Sequence, residues 1–165
     1  MKKSSELLLN GTIACIYFGA TDYTEALNYL NKIINNTIVD VRNDVSCFAR
    51  ILNLIVHFEL GNYELLEYVV ISTYRFLYKK NRLYKLETSV IDFTRKKNPK
   101  IKSDKELIIA FREFKSTIEE IFKDPFEQKA LEFFDFISWL ESKIANKPFA
   151  EIIKEKSKFA SGNTF

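Results

Sequence analysis

An all-α fold is predicted by three features of the sequence: few residues that break a helix, start signals ahead of apolar runs, and apolar residues spaced by threes and fours. Only four Gly and three Pro occur in 165 residues, whereas sandwiches and barrels need a turn about every 8–12 residues. Apolar side chains make up 47% and charged ones 28% of the chain, a balance found in packed domains and not in disordered segments. A chain of this length forms one domain, 1–165, that buries roughly 70% of the surface its unfolded form exposes.

The elements follow in order. Residues 5–18 form a first helix that stops at Gly19 and Ala20. Asp22 with Glu25 three residues later is a capping-box pattern, in which two side chains satisfy free amides at a helix start. Behind it Ala26, Leu27, Leu30, Ile33 and Ile34 recur on one helical face. Residues 35–43, rich in Asn and Asp, read as a loop. A third helix over 44–60 ends at Gly61, the residue suited to the left-handed position that closes a helix. Asn62 opens a fourth, carrying Leu65, Leu66, Val69, Val70, Thr73, Phe76 and Leu77. The fifth, 82–96, stops before Asn98-Pro99 because proline disfavours helical geometry in the residue ahead of it. Ser103 and Glu106 form a second capping box, and Asp124-Pro125 starts a seventh helix in which Phe126, Ala130, Phe133, Ile137, Leu140 and Ile144 step by fours and threes. These two are expected to pair. Pro148 opens a short last helix through Ile152 and Ile153, and residues 160–165 form a loose tail.

Two stretches align with an offset of 40: Tyr17-Phe18-Gly19-Ala20-Thr21-Asp22-Tyr23 and His57-Phe58-Glu59-Leu60-Gly61-Asn62-Tyr63. Here the sequence resembles the tetratricopeptide repeat family. Ala14, Tyr17, Ala26, Leu30 and Ile33 fall on its signature positions in the first repeat, and Leu54, His57, Leu66, Val70 and Thr73 in the second. The offset exceeds the family's period of about 34 residues, Leu54 and Leu66 replace small residues, and no proline ends either repeat. The resemblance covers residues 5–80; 81–159 then act as packing or capping helices. It implies a right-handed superhelix of antiparallel helix pairs, about seven or eight helices in all, in which neighbouring pairs bury each other's apolar faces. Because repeat character fades along the chain, it reads as the C-terminal part of a longer array. The resemblance implies a scaffold that binds another protein or peptide. The family's carboxylate clamp is missing, since the corresponding stretches offer Gly11, Thr12 and Cys15, then Ile51, Leu52 and Ile55. A groove there is expected to be apolar and to favour a helix or apolar segment.

Several functional classes are disfavoured by what the sequence lacks. There is one histidine, His57, at a packing position of the repeat, and no Gly-rich phosphate loop, nucleophile elbow or HExxH motif. Glu64 with Glu67 and Glu119 with Glu120 read as solvated or capping carboxylates. Catalysis, cofactor and metal are therefore not expected. Cys15 and Cys47 read as buried thiols in a reducing, cytoplasmic setting. Glu6, Asn10 and Gly11 interrupt any leader-like apolar run, which also sets aside glycosylation at Asn10 and Asn35, and no apolar stretch reaches the 18 or so residues of a membrane span. No membrane partner is expected.

The net charge is +3, but its distribution is uneven: eleven Lys or Arg against three acids lie between residues 75 and 105. Arg75, Tyr78, Lys79, Arg82 and Lys85 are the candidate partner-binding residues, with Arg75, Lys79 and Arg82 expected as a cationic ridge flanked by tyrosines. Such a ridge suits an acidic peptide or, as the alternative function, a nucleic-acid backbone. Residues 95–100 read as a basic loop. Phe133, Phe134, Phe136 and Trp139 read as core, with weak self-association through this Phe-rich end as a third reading, so the chain is expected as a monomer or weak homodimer.

Overall fold

The computed structural model describes residues 2–36, 42–96 and 103–162, which form helices and turns with no strand among them. In chain order they are α1 (Lys2–Gly19), α2 (Tyr23–Ile34), α3 (Asn43–Leu60), α4 (Tyr63–Lys79), α5 (Lys85–Lys96), α6 (Asp104–Ile121), a 3₁₀ helix (Glu127–Glu132), α7 (Phe136–Ala145) and α8 (Phe149–Gly162). Each α-helix packs on the next, and α3 also meets α1 and α5. Most of the predicted 35–43 loop, the Asn98-Pro99 stop, Lys97, Lys100 and the last three residues lie outside the described residues.

Local chemistry accounts for the helix boundaries. The Asp22 carboxylate accepts the Glu25 amide at 3.1 Å, and the Glu25 side chain turns to Asn28 instead of closing the box. At Ser103 the box is complete: Ser103 Oγ accepts the Glu106 amide and Glu106 accepts the Ser103 amide, both at 3.3 Å. α1 and α3 end identically. Thr21 and Gly61 take left-handed backbones, φ 61° and 70°. Their amides donate to Phe18 and Phe58, and the next amides, of Asp22 and Asn62, donate to Tyr17 and His57. That bond pair is the Schellman closure, and every equivalent residue is 40 positions apart. Asn81, φ 53°, repeats it after α4, with amides 81 and 82 donating to Tyr78 and Leu77.

Two elements differ from the sequence expectation. The helix expected to run from Pro125 to Ile144 is a 3₁₀ helix, a break at residues 133–135, and then α7. Asp135 starts α7 by accepting the Ser138 amide at 2.9 Å. The break lets adjacent residues face different partners: Phe133 stacks on Phe48 (centroids 5.1 Å) and Phe134 meets Phe18 edge-on (5.1 Å). Successive side chains of a continuous helix diverge by about 100° and rise by only 1.5 Å, which does not serve contacts with both α3 and α1. The second difference is α8, which extends 14 residues and keeps 160–162 helical where a tail was expected. Lys156 anchors it, donating to Ser138 Oγ at 2.8 Å and pairing with Glu141 at 2.7 Å.

The core centres on α3, whose residues 51–58 are buried in an unbroken run; a helix buried all round is a central element. Phe58, Phe93, Phe111, Phe114 and Trp139 form a chain of ring contacts joining α3, α5, α6 and α7. Glu59, with its side chain 7% exposed, accepts from Trp139 Nε1 at 2.6 Å and Lys143 Nζ at 2.8 Å. No described helix is long and apolar enough to cross a membrane.

Candidate functional site

The most prominent exposed apolar face is on α4. This helix has two apolar stripes. Leu66, Val70, Thr73 and Leu77 are buried against its neighbours. Leu65, Tyr68, Ile71, Tyr74 and Tyr78 remain 48%, 70%, 46%, 48% and 68% exposed. The Tyr74 and Tyr78 rings stack at 6.1 Å with planes 16° apart, as residues four apart on a helix do. Glu64 and Glu67 lie exposed near the start of the helix, and Arg75 and Lys79 near its end.

Of the residues singled out in the sequence, Arg75, Tyr78 and Lys79 share this helix and are exposed. Arg82 does not extend their ridge. The left-handed turn at Asn81 carries the chain off the α4 axis, and Arg82 is half-buried with its guanidinium 5.2 Å from the Tyr84 ring centre. Lys85 begins α5, 4.0 Å from the Asp124 carboxylate. The four expected cations are thus split between two places. Sequence reading missed Tyr68, Ile71 and Leu65 as exposed residues. The signal was present, because α4 carries more apolar residues than one stripe can hold.

The other candidates are internal. His57 is buried, its Nδ1 3.4 Å from Asn62 Nδ2, and burial lowers its pKa from the usual imidazole value. Cys47 is buried and Cys15 half-buried, and burial pushes each thiol up to about 11, away from reactive thiolate. Phe134, Phe136 and Trp139 are buried and Phe133 packs against the core, whereas Phe126 and Phe159 are exposed. Ile51, Leu52 and Ile55, expected to line a groove, are buried as well. Nearby, Phe133, in the break that follows the 3₁₀ helix, stacks on Phe48, and its carbonyl accepts the Cys15 thiol at 3.4 Å.

Beside that segment a cavity of about 280 Å³ lies between α3, the start of α5 and the 3₁₀ helix. Cys47, Ile51, Leu86 and Phe136 form its buried apolar walls, and Phe126, Lys129 and Glu132 are its exposed members. Glu127, 7% exposed, accepts the amides of Lys85 and Leu86 at 3.1 and 3.3 Å, capping α5 from 41 residues away. Burial raises the Glu87 carboxyl above its usual range, the Glu127 charge adding to the shift and Arg82 opposing it. Among the described residues, no group of three or more His, Cys, Asp or Glu side chains is placed to hold a metal ion.

Compared with known proteins, the chain matches no family model, no curated protein and no solved structure.

Proposed function

We propose that this chain is a non-catalytic protein-binding module, a divergent member of the tetratricopeptide-like class, that docks a partner on the outer face of α4. One observation carries the proposal: five large apolar side chains, three of them tyrosines, are exposed on a single helix beside an arginine. Interfaces concentrate tyrosine and arginine at their energetic centres, and a solvated helix face has no need of such a set. The helix of 17 residues is about 25 Å long, enough for a modest, transient interface. The repeat reading, with antiparallel pairs in a superhelix, is supported by the matched closures at Thr21 and Gly61, 40 residues apart. With the inner residues Ile51, Leu52 and Ile55 buried, the docking surface lies outside the stack. Two free thiols, Cys47 buried and Cys15 half-buried, fit a reducing, cytoplasmic setting.

Nucleic acid is the second reading, favoured by Arg75 and Lys79 beside the stacked tyrosines. Two cations on that face give little: log affinity should fall with log salt at a slope of about −2. Capture from source-cell lysate on the wild-type chain and on a Tyr68→Asp/Tyr78→Asp variant, with stepwise salt elution, separates the readings. A protein held by the wild type at high salt and lost by the variant is expected. Nucleic acid released at low salt, with no variant-sensitive protein, would overturn the protein-binding assignment.

A further inference from the structure

Ile71 stands at the midpoint of α4, eight residues from Tyr63 and eight from Lys79. Exposed residues lie three, four and seven positions from it on both sides: Tyr68, Glu67 and Glu64 toward the start, Tyr74, Arg75 and Tyr78 toward the end. Those steps put all seven side chains on one helical face. Reversed end for end about Ile71, the face complements itself, with Glu67 opposite Arg75 and Tyr68 opposite Tyr74. The charges find no partner within the chain. Three and four positions beyond Glu64 stand Glu67 and Tyr68, and beyond Glu67 stand Val70 and Ile71. None of Glu64, Glu67, Arg75 and Lys79 forms an ion pair among the described residues. The macrodipole favours acids at the start of a helix and bases at its end, but it does not call for tyrosines and an isoleucine exposed on the same face between them.

We propose that this face of α4 docks the same face of a second copy of the chain, antiparallel about a two-fold axis at Ile71, to form a weak homodimer. The inference rests on the reading of α4 as the docking surface and names its partner. A two-fold contact uses one patch twice, so each complementary pair forms twice. Ile71 meets Ile71 of the second copy, and Arg75 of each copy comes level with Glu67 and Tyr68 of the other, an anion and an aromatic face that both suit a guanidinium. Lys79 falls one residue beyond the level of Glu64. A parallel pairing sets Glu67 on Glu67 and Arg75 on Arg75, like charge on like, and is disfavoured. One helix about 25 Å long and 10–12 Å wide covers less than the roughly 800 Å² per partner of a standard interface, so the dimer dissociates on dilution.

Sedimentation equilibrium of the whole chain from about 1 to 500 µM tests the assignment. The wild type moves from monomer toward dimer as concentration rises. Glu67→Arg and Arg75→Glu each weaken association at least about tenfold, since either change sets two like-charge pairs across the axis. Mixing the two variants in equal amounts restores association, because every facing pair is then of opposite charge, and this rescue also shows that both are folded. Ile71→Cys, at the axis, gives a disulfide-linked dimer under copper–phenanthroline oxidation, and Glu120→Cys on α6 does not. A chain that stays monomeric throughout, a dimer that both charge variants leave unchanged, or equal cross-linking at positions 71 and 120 overturns the assignment. A monomeric chain that still retains a lysate protein sensitive to Tyr68→Asp/Tyr78→Asp refutes the second copy and leaves α4 as a docking surface, whereas loss of both removes that surface too.

Discussion

The Glu59 carboxylate accepts from the Trp139 indole and the Lys143 ammonium, so one residue ties the end of α3 to α7. Removing it leaves a buried indole N–H and a half-buried ammonium unmatched, a loss expected at about 3 kcal/mol for Glu59→Ala. Glu59→Gln, which still accepts from the indole, should lose about 1 kcal/mol; urea unfolding checks both. His57 has an opposite relation to charge. Burial depresses its pKa, so the stability it contributes is present above the unfolded value near 6.5 and is lost as pH falls through the folded one. Unfolding midpoints at pH 7.5 and 5.5 should therefore drop more in the wild type than in His57→Gln, and equal drops would exclude this role. The burial of His57 was legible from its place between Val56 and Phe58 in an apolar helical run. The role of Glu59 was not, because its partners lie 80 and 84 residues away and no spacing rule connects them.

At the scale of elements, the left-handed closures at Thr21 and Gly61 are equivalent in bonding and unequal in cost. A β-branched residue at φ 61° is strained, whereas glycine at that position is not. Thr21→Gly is expected to stabilise the protein by about 1 kcal/mol, and Gly61→Ala to destabilise it by about the same, both read from thermal unfolding. The Gly61 end was readable in the sequence, as were the Ser103 box and the Asp22 cap, because each is settled within five residues; the left-handed turn at Thr21 was not, since the sequence pointed to a stop at Gly19 and Ala20. The break at 133–135 was not. Phe126, Ala130, Phe133, Ile137 and Leu140 have helical spacing, and the spacing is overridden by Phe133 and Phe134 reaching Phe48 and Phe18, contacts that no local window contains. The same distance effect hid Glu127, whose cap on α5 lies 41 residues upstream.

For the whole molecule, α3 is enclosed and α4 keeps a second apolar stripe outward, so the exposed apolar face proposed for docking falls on the outside of the packed helices. The cationic ridge anticipated from residues 75–85 divides at Asn81, where α4 is capped, and Arg82 goes to the cavity instead. Only Arg75, Tyr78 and Lys79 of the anticipated set share a helix with Tyr68 and Ile71. Because these side chains are solvated, the Tyr68→Asp/Tyr78→Asp variant should keep its unfolding midpoint within about 0.5 kcal/mol per site of the wild type. A loss of capture by that variant then reports on the surface and not on the fold.

The most direct measurement is site-specific photo-crosslinking in the source cell, with a benzophenone amino acid placed at Tyr78 and, as a control, at the exposed Glu120 on α6. The account predicts a discrete protein adduct from position 78 that is absent from position 120. Adducts of equal yield from both positions, or none from position 78, would contradict it.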